Sequence, residues 1–208
     1  MIDLYTWGTP NGRKISIMLE ACELAYRVHQ INILKDEQFS PEFLGISPNN
    51  RIPAIIDPDG PSGEAIKLFE SGAILIYLAE KTGRYMPDRK TDPQRYYQVM
   101  QWLMWQMGGF GPMLGQAHHF RRFAKQKIAY GIQRYSAESQ RLWGVLDRQL
   151  AGRDFVCDQL SIADFAIYPW AMRYAWQGID PASYPAVHAW MQRLASMAFV
   201  DKGMAVPD

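Results

Sequence analysis

The chain has 208 residues, 48% of them apolar, which is enough to bury the core of one large domain or two small ones. A formal net charge of +1 argues against a general nucleic-acid binder, and no apolar run of about eighteen residues offers a membrane span. Met1-Ile2-Asp3-Leu4 lacks the basic and apolar regions of a signal peptide, and the two thiols, Cys22 and Cys157, are far apart with no C-x-x-C. A reducing, cytoplasmic location is therefore expected, with no disulfide between them.

In chain order, residues 2–7 alternate as a strand, and Gly8-Thr9-Pro10-Asn11-Gly12 breaks it. A helix follows to about Glu23, with Ile15, Met18, Leu19 and Cys22 at helical spacing. Residues 26–33 read as a second strand, and Phe43, Leu44 and Ile46 as a short helix before Ser47-Pro48. Strands near 54–57 and 65–69 flank the turn-rich Asp57-Pro58-Asp59-Gly60-Pro61-Ser62-Gly63. Ser71, placed to cap, opens a helix that runs to about Thr82. The order β-α-β-α-β-β-α predicts a thioredoxin-like α/β domain over 1–83.

Residues 84–93 are polar, hold two prolines and read as a linker; from 94 to 208 every signal is helical, so an all-α bundle domain is predicted. Its helices are expected over 94–107 and 126–150, with Gly108 to Gly111 bending or interrupting the chain between them. Ser161-Ile162-Ala163-Asp164 has the form of a capping box, with Leu160 and Phe165 at the staple positions. Tyr184-Pro185 opens a last helix that is expected to end near Met197.

Two stretches carry a family resemblance. Ile52-Pro53-Ala54 and Glu70-Ser71-Gly72-Ala73-Ile74 resemble the glutathione site of the glutathione S-transferase superfamily. Thr9-Pro10-Asn11-Gly12, Ile46-Ser47-Pro48-Asn49-Asn50 and the segment Gly108 to Gln116 are similar to the bacterial Nu-class members, which reduce disulfides. The resemblance spans nearly the whole chain. It implies a cis proline at Pro53, backbone pairing of Ile52 with the cysteinyl part of glutathione, and Glu70 with Ser71 on the γ-glutamyl end. Gln38 and Arg51 are candidates for the glycine carboxylate or for the second half of a disulfide ligand. Arg134, in a segment similar to the Nu-class helix that faces the dimer cleft, is a further candidate. Against these stand plainer readings: a solvated Glu70 at a strand end, a surface Arg51, and an ordinary helix arginine at 134.

The chemistry asks for a thiolate. A thiol of pKa about 8.5 is only a few per cent ionised at neutral pH, and lowering that value by about two units needs roughly 2.7 kcal/mol. One or two hydrogen bonds to the sulfur anion, at about 1.5–3 kcal/mol each, would supply it. Thr9 and Asn11 stand where the superfamily keeps its activating residue, and both can donate. The alternative is that Asn11 only caps the first helix and Thr9 only shapes the turn. Tyr5 lies earlier, in mid-strand, and reads as packing; no cysteine occupies the activating position. His118-His119 invites a metal reading, but adjacent helical side chains diverge, so no metal is expected. Met113, Phe110 and Trp170 are candidates for an apolar second-substrate pocket.

The expected activity is glutathione-dependent disulfide reduction by a homodimer, with glutathione as co-substrate and no catalytic protein cysteine. A conventional transferase or peroxidase would use the same thiolate on small electrophiles or hydroperoxides. A non-catalytic glutathione-binding regulatory protein is the third reading.

Overall fold

A computed structural model describes residues 1–207. The chain divides into two compact units: Met1–Met86 together with the residues from Met197 on, and Pro87–Ser196.

In the first unit, strands β1 (Ile2–Thr6), β2 (Tyr26–Gln30), β3 (Ala54–Asp57) and β4 (Ile66–Phe69) form one sheet in the order β2-β1-β3-β4. β1 runs parallel to β2 and antiparallel to β3, and β3 is antiparallel to β4. Parallel neighbours need a crossover, and helix α1 (Pro10–Ala21) provides it. Helix α2 (Pro41–Leu44) precedes β3, and α3 (Ser71–Thr82) follows β4, which completes the thioredoxin-like βαβαββα order. The pleat sorts side chains between two faces. Tyr5, Ile56 and Phe69 pack with Phe43 of α2, while Leu4 and Ile55 are fully buried on the other face. Tyr5 stacks on His29 at 4.6 Å, the packing role expected of it.

The second unit is helical: α4 (Pro93–Trp105), α5 (Gly111–His118), α6 (Ala129–Leu150), α7 (Ile162–Ala171), α8 (Tyr174–Gln177) and α9 (Pro185–Ala195). Leu103, Leu114, Trp143, Leu146, Ile167 and Trp190 are fully buried there. The glycine-rich stretch does not stop the helix. Gln106–Phe110 form a π-helical turn between α4 and α5, and a second such turn, His119–Phe123, follows α5. The capping box at α7 is formed, with Ser161 N–H donating to Asp164 Oδ2 at 3.0 Å.

The sequence reading differs at the C-terminus. Helix α9 ends at Ala195, and a further helix, α10 (Ala198–Ala205), lies against α1 in the first unit. Gly203 sits on the Ile17 backbone, where a Cβ would come within 2.5 Å of its Cα, and Ser16 Oγ donates to the Gly203 carbonyl at 2.6 Å. The sequence reading places these eight residues in the helical domain over 94–208; their close backbone fit to α1 puts them in the first unit instead.

Candidate active site

Topology assembles the site. Tyr5 pairs with Ala54 and Ala54 with Phe69, so the C-terminal end of β1, the N-terminal end of β3 and the C-terminal end of β4 lie side by side. Three turns therefore share one edge of the sheet: Trp7 to Asn11 leaving β1, Arg51 to Pro53 entering β3, and Glu70-Ser71 leaving β4. β2, parallel to β1, ends at the same edge and leads toward Gln38.

Each turn is held by its own chemistry. Thr9 is the N-cap of α1, and its hydroxyl accepts from Gly12 N–H at 3.3 Å. The hydroxyl proton can still be donated outward. The structure thus corrects the alternative in which Asn11 caps: Asn11 sits inside the first turn, after Pro10, half-buried. Gly12 permits this close docking, because a Cβ there would collide with Thr6 Oγ1 and the Trp7 carbonyl. Before β3, Ser47 is fully buried; its hydroxyl donates to the Arg51 carbonyl at 2.8 Å and accepts from Arg51 N–H at 3.4 Å. This staple delivers Ile52 to the sheet edge, and the Ile52–Pro53 bond is cis. The Arg51 side chain is exposed.

The third turn also differs from expectation. Glu70, not Ser71, is the N-cap of α3, in a left-handed conformation with φ 70° and ψ 111° and an exposed side chain. A non-glycine residue at such a φ is strained, and strain of this kind concentrates at functional sites. Ser71 is the first helical residue and only 4% exposed. Its Oγ accepts from Lys14 Nζ at 3.2 Å, a partner that the sequence reading did not consider. Gln38 is 7% exposed; its amide donates to Asp36 Oδ1 at 3.4 Å, while its Oε1 is buried without a hydrogen-bond partner. A buried acceptor left bare is costly.

Neither cysteine is equipped for nucleophilic work. Cys22 and Cys157 are both buried, and burial raises both thiols, Cys157 to about 12. His118 is buried between Trp170 and Trp176, while His119 is exposed. Among the described residues, no group of three or more His, Cys, Asp or Glu is placed to hold a metal ion, and no helix is long and apolar enough to cross a membrane.

Arg134 lies exposed on α6 in the helical unit, where it lines a depression of about 430 Å³ with Met113, Tyr135 and Arg141. Of the apolar trio named from sequence, Phe110 is fully buried against Trp105. Trp170 stacks on His118 and closes over Gly115, and only Met113 reaches the depression.

A thioredoxin-like sheet with a cis-proline loop, a capped helix start and a Glu-Ser turn on one edge, followed by an all-helical region, defines the glutathione transferase type of protein. Comparison with known proteins agrees. The glutathione S-transferase N-terminal domain matches residues 1–80, and the C-terminal domain matches residues 129–193. The chain belongs to the glutathione S-transferase family. It is 50% identical over 198 residues to the disulfide-bond oxidoreductase YfcG of Escherichia coli, covering 94% of this chain and 91% of that one. It is 38% identical to the disulfide-bond oxidoreductase YghU of the same organism, over 99% of this chain and 74% of that one. Among solved structures, a glutathione transferase from Pseudomonas putida with one glutathione disulfide bound per subunit superposes with a TM-score of 0.94. The two are 44% identical, with 100% of this chain and 92% of that one covered. One from Burkholderia graminis, with two glutathione molecules per subunit, gives a TM-score of 0.93 at 42% identity, covering 100% and 88%.

Proposed function

We propose that the protein is a glutathione-dependent disulfide-bond reductase of the Nu type. The observation that carries this reading is the single sheet edge shared by Thr9 and Asn11, Ile52-Pro53 and Glu70-Ser71. Glutathione binds with its cysteinyl backbone paired to Ile52 and shaped by cis-Pro53. Its γ-glutamyl ammonium faces Glu70, and its γ-glutamyl α-carboxylate sits on Ser71 and the N-terminus of α3. The thiolate lies at the start of α1, where the Thr9 hydroxyl and the Asn11 amide donate to sulfur. Gln38 and Arg51 hold the glycine end or the second half of a disulfide. Arg134 is a further candidate contact, for the ligand of a neighbouring subunit in the homodimer. Residues 1–83 form the glutathione-binding domain, 84–93 the linker and 94–208 the helical domain, except that α10 packs with the first unit.

The reaction is thiol–disulfide exchange. The bound thiolate attacks one sulfur of the substrate disulfide; a new S–S bond forms, the old one breaks, and the leaving thiolate takes up a proton. A second glutathione thiolate then resolves the mixed disulfide and yields glutathione disulfide. The relatives that carry one glutathione disulfide or two glutathiones per subunit support a cleft of that capacity. Both protein cysteines are buried and held protonated, which supports a mechanism that spares them. A cytoplasmic homodimer completes the proposal.

The test is steady-state reduction of 2-hydroxyethyl disulfide by glutathione, beside conjugation of chlorodinitrobenzene, on one preparation. Strong reduction with feeble conjugation is expected. The reverse pattern would make this a conventional transferase, and retention on glutathione-agarose without either turnover would make it a binding protein.

A further inference from the structure

Cations of the helical unit gather in one place without a counter-charge. Arg121 and Arg122 stand exposed on the π-helical turn His119–Phe123, Lys127 follows it, and Arg173 is half-buried just before α8. Arg122 lies 4.5 Å and Arg173 4.6 Å from the centre of the Trp176 ring. Among the described residues, none of these cations pairs with a carboxylate, and neither Arg122 nor Arg173 donates a side-chain hydrogen bond. The carboxylates of flanking segments are engaged elsewhere. Glu138 accepts from Arg141 at 2.7 Å through both oxygens, and Asp180 accepts from Ala182 N–H at 3.1 Å.

Arg121 and Lys127 are held by contacts that leave donors over. Arg121 Nη1 donates to Ser136 Oγ at 3.2 Å, and its guanidinium rests on Gly178, where a Cβ would collide with it. Lys127 Nζ donates to the Arg121 carbonyl at 2.9 Å. A guanidinium has five N–H donors and an ammonium three, so most remain for a ligand. Arg121, Arg122 and Lys127, with Ile132, Ala175 and Trp176, line a depression of about 370 Å³, a volume suited to a small molecule. Two guanidiniums on one indole repel each other: burial, then the charge of Arg122, lowers the Arg173 pKa. His118, 6% exposed and edge-on to Trp176 at 5.5 Å, is neutral at pH 7 and has no hydrogen-bond partner at Nε2, so it answers none of this charge.

We propose that this cluster is an anion site for a phosphate group, either free phosphate or the phosphate of a small organic ester. Arg121 and Arg122 hold its oxygens through paired N–H groups, and Lys127 adds a point charge. Arg173, on the same indole as Arg122, adds to the positive field. A phosphate dianion answers several cations better than a single carboxylate does, and its oxygens accept from more than one guanidinium edge at once. Ile132 and Ala175 give the carbon chain of an ester an apolar wall. The site is formed within the helical unit alone and does not rest on the glutathione reading.

Calorimetric titration of the whole chain at pH 7.5, in a buffer free of phosphate and sulfate, tests it. The titrants are inorganic phosphate, glycerol 3-phosphate and glycerol. Both phosphates are expected to bind and glycerol is not, and binding should weaken as sodium chloride is raised from about 50 to about 300 mM. Arg122→Gln and Arg173→Gln should each bind at least about tenfold more weakly, the loss of charge-assisted contact. Arg148→Gln removes an exposed arginine farther along α6 and should bind as the wild type does. Arg122→Gln should keep the wild-type melting temperature and circular dichroism, which separates loss of the site from loss of the fold. Tighter binding of glycerol 3-phosphate assigns the site to an organic ester, and equal binding assigns it to free phosphate. Absence of binding by both phosphates, binding of glycerol, or unchanged affinity in Arg122→Gln overturns the proposal.

Discussion

Thr9 and Asn11 illustrate how little separates a structural residue from a chemical one. Thr9 has the chemistry for both tasks, because a hydroxyl can accept from Gly12 N–H, as it does, and still has a proton to donate. Asn11 does not cap and stands in the first turn of α1. Asn11→Ala is expected to raise the pKa of bound glutathione and to cut disulfide reduction at pH 7 by about 10- to 100-fold, one charge-assisted hydrogen bond. The rate profile from pH 5 to 9 checks this: it should move to higher pH, and an unmoved profile removes Asn11 from the thiolate's donors. Cys22→Ser combined with Cys157→Ser should retain wild-type turnover. A folded but inactive double variant would overturn a mechanism without a protein cysteine.

At the scale of elements, the α7 cap is the densest polar knot in the helical unit. Asp164 is fully buried and accepts from Ser161 N–H, Ser161 Oγ, Val156 N–H and Trp190 Nε1, all within 3.1 Å. It therefore ties the start of α7 to the preceding loop and to α9. Ser161→Ala should cost about 1 kcal/mol, the usual value of a cap. Asp164→Ala should cost about 3 kcal/mol or more, because three partners that are themselves buried lose their acceptor. Urea denaturation of the two variants checks the ranking, and equal losses would show that the cap alone matters. In the first unit, Gly12 plays the matching part through shape: its missing Cβ lets the start of α1 rest on Thr6 and Trp7.

At the scale of the molecule, His118 sets an acid limit. Burial, then the charges of Arg173 and Arg122, push its imidazole down to about 4 from 6.5. Below pH 6.5 the unfolded chain takes a proton that the folded chain refuses until about pH 4, so stability falls as pH drops through that window. His118→Phe keeps an aromatic ring against Trp170 and Trp176 and should flatten this loss. The urea midpoint at pH 7 and pH 5 in the two proteins measures it; an equal drop in both would assign the acid sensitivity elsewhere.

The sequence by itself determined the thioredoxin-like order of elements, the helical remainder, the α7 cap and the three turns of the site. Those features are local: a two-residue alternation, a helical spacing, a proline before a strand or a Ser-x-x-Asp is legible without knowing what lies across the fold. Tertiary structure alone decided that the residues from Met197 on return to α1, that Glu70 rather than Ser71 caps α3, and that Phe110 is core. It also placed Lys14 beneath Ser71. On paper Lys14 is one more cation on an amphipathic helix, since nothing in the spacing of residues 14 and 71 encodes their meeting. Only the packing of α1 on α3 removes its solvent and brings its ammonium to the Ser71 hydroxyl.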